Sequence, residues 1–366
     1  MIRLEPHGLD RFSSSEPMID SLSIANFRGF ENLEIHGLRR INVLVGQNSS
    51  GKTALLEALF LAAGGSPEIA LRLQAQRGLG QPFQVTLERP SYESLWRYLF
   101  WGLDQAKTIS INLVGSPPNT RSLAVAYADQ ASTKLPFGKE GTESPFIVPI
   151  NFTWRTSTGE VFESQPSITK EGINISGTGE TMPVFLFSST TTVNALENAS
   201  RFSELDLQGK SGLVVDALKR EFPYLKDISV QVISGMPTLH AALTFSDLKL
   251  PLALLSGGIN KLMGILLTVA LRPQGVVLVD EIENGFYHDR LQTIWSTLLE
   301  LCQQQNTQVF ASTHSQECLE AALATIRGNE EEFALIRTER SNGRCTANVF
   351  GGRHFQSAIE QNIEVR

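Results

Sequence analysis

Apolar and polar positions alternate along Ile19–Ile24, and Leu33-Glu34-Ile35 repeats the pattern. A period of two predicts half-buried strands. Ile41–Val45 is mostly apolar and short, which predicts a strand buried on both faces. Ala54–Leu61 follows as a helix. Leu95–Phe100, with Trp101, reads as a short buried helix whose aromatics serve the core rather than base stacking. From about residue 108 to 188 the pattern changes. Strands at 109–113, 123–127 and 150–154 are separated by turns rich in Gly, Pro, Ser and Thr, as in an antiparallel meander. A helix over 209–221 ends at Pro223, and 228–232 is one further strand. Residues 259–271 are apolar on most faces and predict a buried helix. Residues 275–280 and 308–313 read as strands of a parallel sheet, with helices over 291–304 and 315–323. A terminal strand pair starts near 332 and ends near Phe350. No heptad pattern is sustained, which excludes a long coiled coil.

The elements add up to an α/β chain, with a mainly parallel sheet flanked by helices and an antiparallel β-meander subdomain. Residues 1–18 read as a flexible leader and 19–366 as a single domain. Its parts are a phosphate-loop lobe with the meander (19–190), a helical lobe (191–270) and a C-terminal half (271–366).

Charge and composition narrow the partners. Lys and Arg number 31 against 38 Asp and Glu, a net charge of −7. That disfavours a surface given over wholly to nucleic acid, while leaving room for a local basic groove. The three cysteines form no close pair, as in a reduced cytoplasmic protein, and no His/Cys cluster suggests zinc. The apolar run Leu262–Leu271 is too short to span a bilayer, so no membrane is expected.

Four stretches carry candidate chemistry. Gly46-Gln47-Asn48-Ser49-Ser50-Gly51-Lys52-Thr53 fits the phosphate-loop pattern G-x-x-x-x-G-K-[ST] between a predicted strand and helix. Glycines let backbone N–H groups turn toward phosphate oxygens, and the helix N-terminus adds its dipole. Asn48, Ser49 and Ser50 belong to that cradle, Lys52 supplies charge to the outer phosphates, and the Thr53 hydroxyl suits Mg²⁺. Asp280 ends a buried strand, where an acid faces the ligand crevice of a parallel sheet and can hold Mg²⁺. Glu281, leaving in another direction, suits a general base for water. Ser256-Gly257-Gly258 precedes the apolar helix and offers a hydroxyl and open backbone to phosphate. His314 sits at the tip of the next strand, placed to sense a γ-phosphate or orient water.

In this order the motifs resemble the ABC-type P-loop ATPase domain. Ile24–Phe30 looks like the opening strand of its SMC/RecF/OLD branch. Asp280–Gly285 and Phe310–Cys318 are most like the OLD-like AAA ATPases, the branch that includes the ATPases of several bacterial anti-phage systems. The ending, Ala358 to Arg366, looks like that of stand-alone members. Too few residues follow His314 to hold a Toprim nuclease, so nuclease activity is not expected. The resemblance gives Arg28 a place on the nucleotide phosphates. It also implies a Mg²⁺-contacting glutamine, with Gln74, Gln76, Gln81 and Gln84 as candidates.

The resemblance implies Mg²⁺-dependent ATP hydrolysis that drives a head-to-tail homodimer, or a higher even oligomer. The output would be control of an effector protein encoded nearby. The alternative is a RecF-like clamp that grips DNA, and the negative charge favours the switch. A subunit that only binds nucleotide would not need Glu281. Asn260-Lys261-Leu262-Met263 lacks the aspartate of a guanine-reading N-K-x-D, so adenine is the expected base.

Overall fold

The computed structural model describes residues 18–78, 94–116, 119–128, 133–134, 146–169, 172–175, 179–189 and 195–360. Two six-stranded sheets face each other across one helix. The first is parallel in its strands Val184–Phe187, Val276–Val279, Gln308–Ser312, Ile41–Val45 and Phe333–Ser341, taken in spatial order. Arg344–Gly351 adds an antiparallel edge. The second sheet is antiparallel, in the order Phe30–Ile35, Ser21–Phe27, Ile109–Val114, Arg121–Tyr127, Ile150–Thr156, Val161–Ser164.

Side-chain alternation shows why the central parallel strands are mostly apolar. Along Ile41–Val45, residues Ile41, Val43 and Val45 point to a core shared with the helices Gly257–Leu271, Leu291–Gln305 and Gln316–Ile326. Leu44 points the other way, into a core shared with the antiparallel sheet. Val277 and Val279 follow the first face, Val276 and Leu278 the second. A strand buried on both faces has no solvent-facing side, and the one polar residue of Ile41–Val45, Asn42, is hydrogen-bonded to Arg39 and the Val309 carbonyl. Each buried apolar side chain contributes about 1.5–3 kcal/mol of transfer free energy.

The helix Lys52–Ala63 lies between the two sheets, and most of its circumference is buried against both. This explains its near-continuous apolar run. Its one acid, Glu57, is buried and therefore needs a charged partner. Leu95–Trp101 is helical only through residue 97; Phe100 then bridges Phe27, and Trp101–Leu103 turns as a 3-10 helix. Trp96, Leu99 and Phe100 are core residues, while Tyr98 is exposed.

The middle lobe departs from its expected helical character. Ala195–Leu207 and Ser211–Glu221 are helices, but Leu225–Ile233, Met236–Leu243 and Ser246–Pro251 form a three-stranded antiparallel sheet. Its first turn is Ser234-Gly235, both at positive φ, the backbone that tight hairpins require. A helix at Gly352–Glu360 follows the terminal strand pair. Among the described residues no helix is long and apolar enough to cross a membrane.

Candidate functional site

The parallel strands end on one side, and three of their C-terminal ends meet there. Ile41–Val45 delivers the loop, Val276–Val279 delivers Asp280, and Gln308–Ser312 delivers Thr313 and His314. That edge is where ligands bind in open α/β sheets. A cleft of about 690 Å³ opens over it, lined by Lys52, Thr53, Asp280, Glu281, His314 and Arg28 among others.

The loop curls through Gly46 at φ 140°, Ser49 at φ 64° and Gly51 at φ 113°, backbone that favours glycine at both ends. A Cβ on Gly46 would lie 2.2 Å from the Thr338 carbonyl oxygen. Asn48, Ser49, Gly51, Lys52 and Thr53 line the cleft. Ser50 does not. It is buried, and its hydroxyl lies 2.6 Å from the Thr338 hydroxyl, so its side chain shapes the loop rather than facing the cleft. Lys52 Nζ donates to the carbonyls of Gly46 (2.6 Å) and Gln47 (3.0 Å). Burial lowers the Lys52 ammonium below its ordinary range, while Asp280, Glu281 and Glu283 pull it back up.

Thr53 and Asp280 stand together, with the Thr53 hydroxyl 3.3 and 3.2 Å from the two carboxylate oxygens. Asp280 also accepts from Ser312 Oγ at 2.6 Å and Ser189 Oγ at 3.2 Å. A hydroxyl and a carboxylate that converge on one point, with room for water, fit Mg²⁺ and its preference for oxygen. Among the described residues no group of three His, Cys, Asp or Glu side chains could hold a metal.

Glu281 adopts φ 51°, an uncommon backbone for a non-glycine residue. Its amide donates to Ser312 Oγ at 2.8 Å, and its Oε2 accepts from Asn284 Nδ2. Ser312 thus holds both acids at once. His314 is set by Glu283, whose Oε1 accepts from the His314 amide at 3.0 Å and lies 3.0 Å from Nδ1. Glu283 thus engages Nδ1 and not Nε2. Ser312, Ser189 and Glu283 were not singled out in the sequence. The only available signal was that Ser312 precedes Thr313-His314 and Glu283 follows Glu281 by two.

Arg28 lines the cleft but is committed to a buried ion pair. Its Nε lies 2.9 Å from Glu57 Oε2, and Arg77 holds both Glu57 oxygens at 2.8 Å. Burial pushes the Arg28 guanidinium down to about 10; Glu57 opposes this and Arg77 adds to it. Arg28 Nη2 is buried and, among the described residues, has no hydrogen-bond partner, so its two N–H groups are left unpaired.

The candidate glutamines divide. Gln74 is buried, donates to the Leu95 carbonyl and does not line the cleft. Gln76 lines a different groove, beside Phe60 and Met182. Gln81 and Gln84 lie outside the described residues.

Ser256, Gly257 and Gly258 are not brought to this cleft. Ser256 caps the helix Gly257–Leu271, its Oγ accepting from the Ile259 amide at 3.1 Å, and Ser256 and Gly257 are exposed. Gly258 is buried against the turn after Asp280, where a Cβ would lie 2.2 Å from the Gly285 carbonyl oxygen.

Ser312→Ala gives the first test of this arrangement. It would leave Asp280 Oδ1 with only the longer Thr53 contact at 3.3 Å and remove the partner of the Glu281 amide, a cost of about 1–3 kcal/mol. The expected result is a roughly tenfold loss of MgATP affinity, with affinity for metal-free ATP near wild type. Calorimetry with and without Mg²⁺ distinguishes this from a general weakening, which would lower both.

Comparisons with known proteins match the two ends of the site. A family model described as an AAA domain covers residues 21–95. Another, described as "AAA domain, putative AbiEii toxin, Type IV TA system", covers 246–320. An ATP/GTP phosphatase of Helicobacter pylori is 23% identical over 342 residues, 87% of this chain and 90% of that protein. The DNA replication and repair protein RecF of Nitrosococcus oceani is 49% identical, but over 43 residues, 12% of each chain. Among solved structures, an Smc head bound to the C-winged helix domain of ScpA aligns over 92% of this chain and 98% of that chain, with 13% identity and TM-score 0.48. An SMC head domain from Thermotoga maritima aligns over 91% and 98%, with 14% identity and TM-score 0.42.

Proposed function

We propose that this P-loop ATPase is an assembly switch. MgATP binding closes two copies head to tail, each Ser256-Gly257-Gly258 capping the partner's nucleotide, and hydrolysis reopens them. One observation carries this reading. The phosphate-loop residues line the cleft, while Ser256 and Gly257, which we read as a phosphate-binding signature, are exposed outside it. Within one chain the exposed Ser256 and Gly257 have no phosphate to meet; a second copy turned head to tail supplies one.

The chemistry follows from the residues in the cleft. The loop amides and Lys52 bind the phosphates, Arg28 offers its Nη2 N–H groups beside them, and Thr53 and Asp280 would hold Mg²⁺. Bound there, Mg²⁺ would offset the phosphate charge. Glu281 takes a proton from the attacking water, and His314, oriented by Glu283, contacts the γ-phosphate. The near full-length Helicobacter relative, named a phosphatase of ATP and GTP, supports hydrolysis. The adenine preference rests on the missing N-K-x-D aspartate.

The output we assign is control of a partner effector encoded nearby, in bacterial anti-phage defence. The OLD-like motif wording and the toxin–antitoxin description of the model over 246–320 support that setting. The short RecF match favours a second reading, a DNA clamp. Light scattering on Glu281→Gln with MgATP separates the cases. The switch predicts a stable dimer or larger even assembly that Ser256→Arg dissolves; a monomer at saturating MgATP overturns it. Tight duplex binding by the trapped assembly, weakening steeply with salt, would support the clamp.

A further inference from the structure

We infer that Lys261 is a positioning residue that joins the signature and the catalytic glutamate of one chain into a single rigid unit. Closure of Ser256-Gly257-Gly258 on a partner's nucleotide is thereby transmitted to this chain's own Glu281. The inference rests on the head-to-tail reading above and extends it to communication between the two sites.

Lys261 lies on the first turns of the signature helix and is half-buried. It does not line the nucleotide cleft. Its Nζ donates instead to the carbonyl of Glu281 at 2.6 Å and that of Asn284 at 3.4 Å. Both carbonyls belong to the turn that follows the acid strand. Asn284 in turn donates to the Glu281 carboxylate. One ammonium therefore fixes the backbone of the general base and of the side chain that orients it.

The contact beneath Lys261 has no slack. Gly258 packs backbone to backbone on Gly285, which sits at φ 91°; a Cβ on Gly285 would come within 3.3 Å of the Gly258 Cα. Glycine at both positions permits this approach, and Lys261 locks it. A signature helix held this way cannot shift without moving Asn284 and Glu281.

An apolar residue would suit this helix more simply, because burial disfavours an ammonium. Burial does lower the Lys261 ammonium, while Glu283, Glu281 and Asp280 hold it up. A charge kept there at such cost matches a link to the acidic turn better than a packing role. The same turn carries Glu283, which orients His314. Signature engagement thus bears on base and histidine together.

The test compares Lys261→Met and Lys261→Arg with wild type. It measures MgATP affinity, ATP-driven assembly by light scattering, and turnover against ATP concentration. Wild type should assemble and show cooperative turnover, with a Hill coefficient approaching roughly 2 for two coupled sites. Lys261→Met should bind MgATP and assemble like wild type, yet turn over about tenfold more slowly with a Hill coefficient of about 1. Lys261→Arg, which keeps the charge and two donors, should restore both. If wild type fails to assemble, the head-to-tail reading falls and this inference with it. If wild type assembles and Lys261→Met keeps its turnover and cooperativity, the link alone falls. Loss of affinity in parallel with turnover would mark Lys261 as merely structural and also overturn the link. Should Lys261→Met prove insoluble, Lys261→Gln carries the same readouts.

Discussion

Lys52→Ala should remove most MgATP affinity and leave the fold intact. The ammonium is the one full positive charge set on the phosphate loop itself, at the start of the helix Lys52–Ala63. Deleting one partner of a close, partly desolvated charge pair costs about 3–5 kcal/mol, a loss of roughly a hundred- to a few thousand-fold in affinity. Stability should change little. Among the described residues Lys52 Nζ donates to the Gly46 and Gln47 carbonyls, which accept water equally well. Calorimetry and a nucleotide-free thermal melt make the comparison. Binding near wild type would show that the phosphates sit elsewhere.

Glu281→Gln should do the reverse, leaving MgATP binding intact and slowing turnover about a hundred- to ten-thousand-fold, the usual contribution of a positioned base. Glutamine keeps the shape and can still meet Asn284, but it cannot take a proton from water. The neighbouring acid separates the roles. Asp280 is buried and accepts from Thr53, Ser189 and Ser312, so Asp280→Asn should weaken the Mg²⁺ dependence of binding itself. The two variants therefore fail at different steps: binding is titrated for one and steady-state phosphate release for the other. A Glu281→Gln protein that keeps its turnover would move the base elsewhere, with His314 the next residue to change.

What the sequence determined by itself was local. The loop, its strand and its helix are contiguous, so glycine spacing, an apolar strand and a buried helix sit side by side in the text of the chain. The acid strand is legible for the same reason: a short apolar run buried on both faces must end where its first acid appears. The middle lobe was read less well. Only 228–232 was expected as a strand there, because Met236–Leu243 has three consecutive buried residues and Ser246–Pro251 no buried one, so neither shows clean alternation. The helices at Ala195–Leu207 and Gly352–Glu360 were likewise not anticipated.

What only the tertiary structure decided is which side chains meet. Strand pairing sets Val279 beside Ala311, and so carries Asp280 to Ser312 and Glu281 to the same hydroxyl. The bridge from Phe27 to Phe100 and the course of the helix Lys52–Ala63 place Arg28 on Glu57 with Arg77 behind it. The packing of Gly258 on Gly285 brings Lys261 to the Glu281 carbonyl. Local pattern encodes each segment's backbone and burial, whereas these contacts depend on strand register and on close backbone approach between segments distant in the chain.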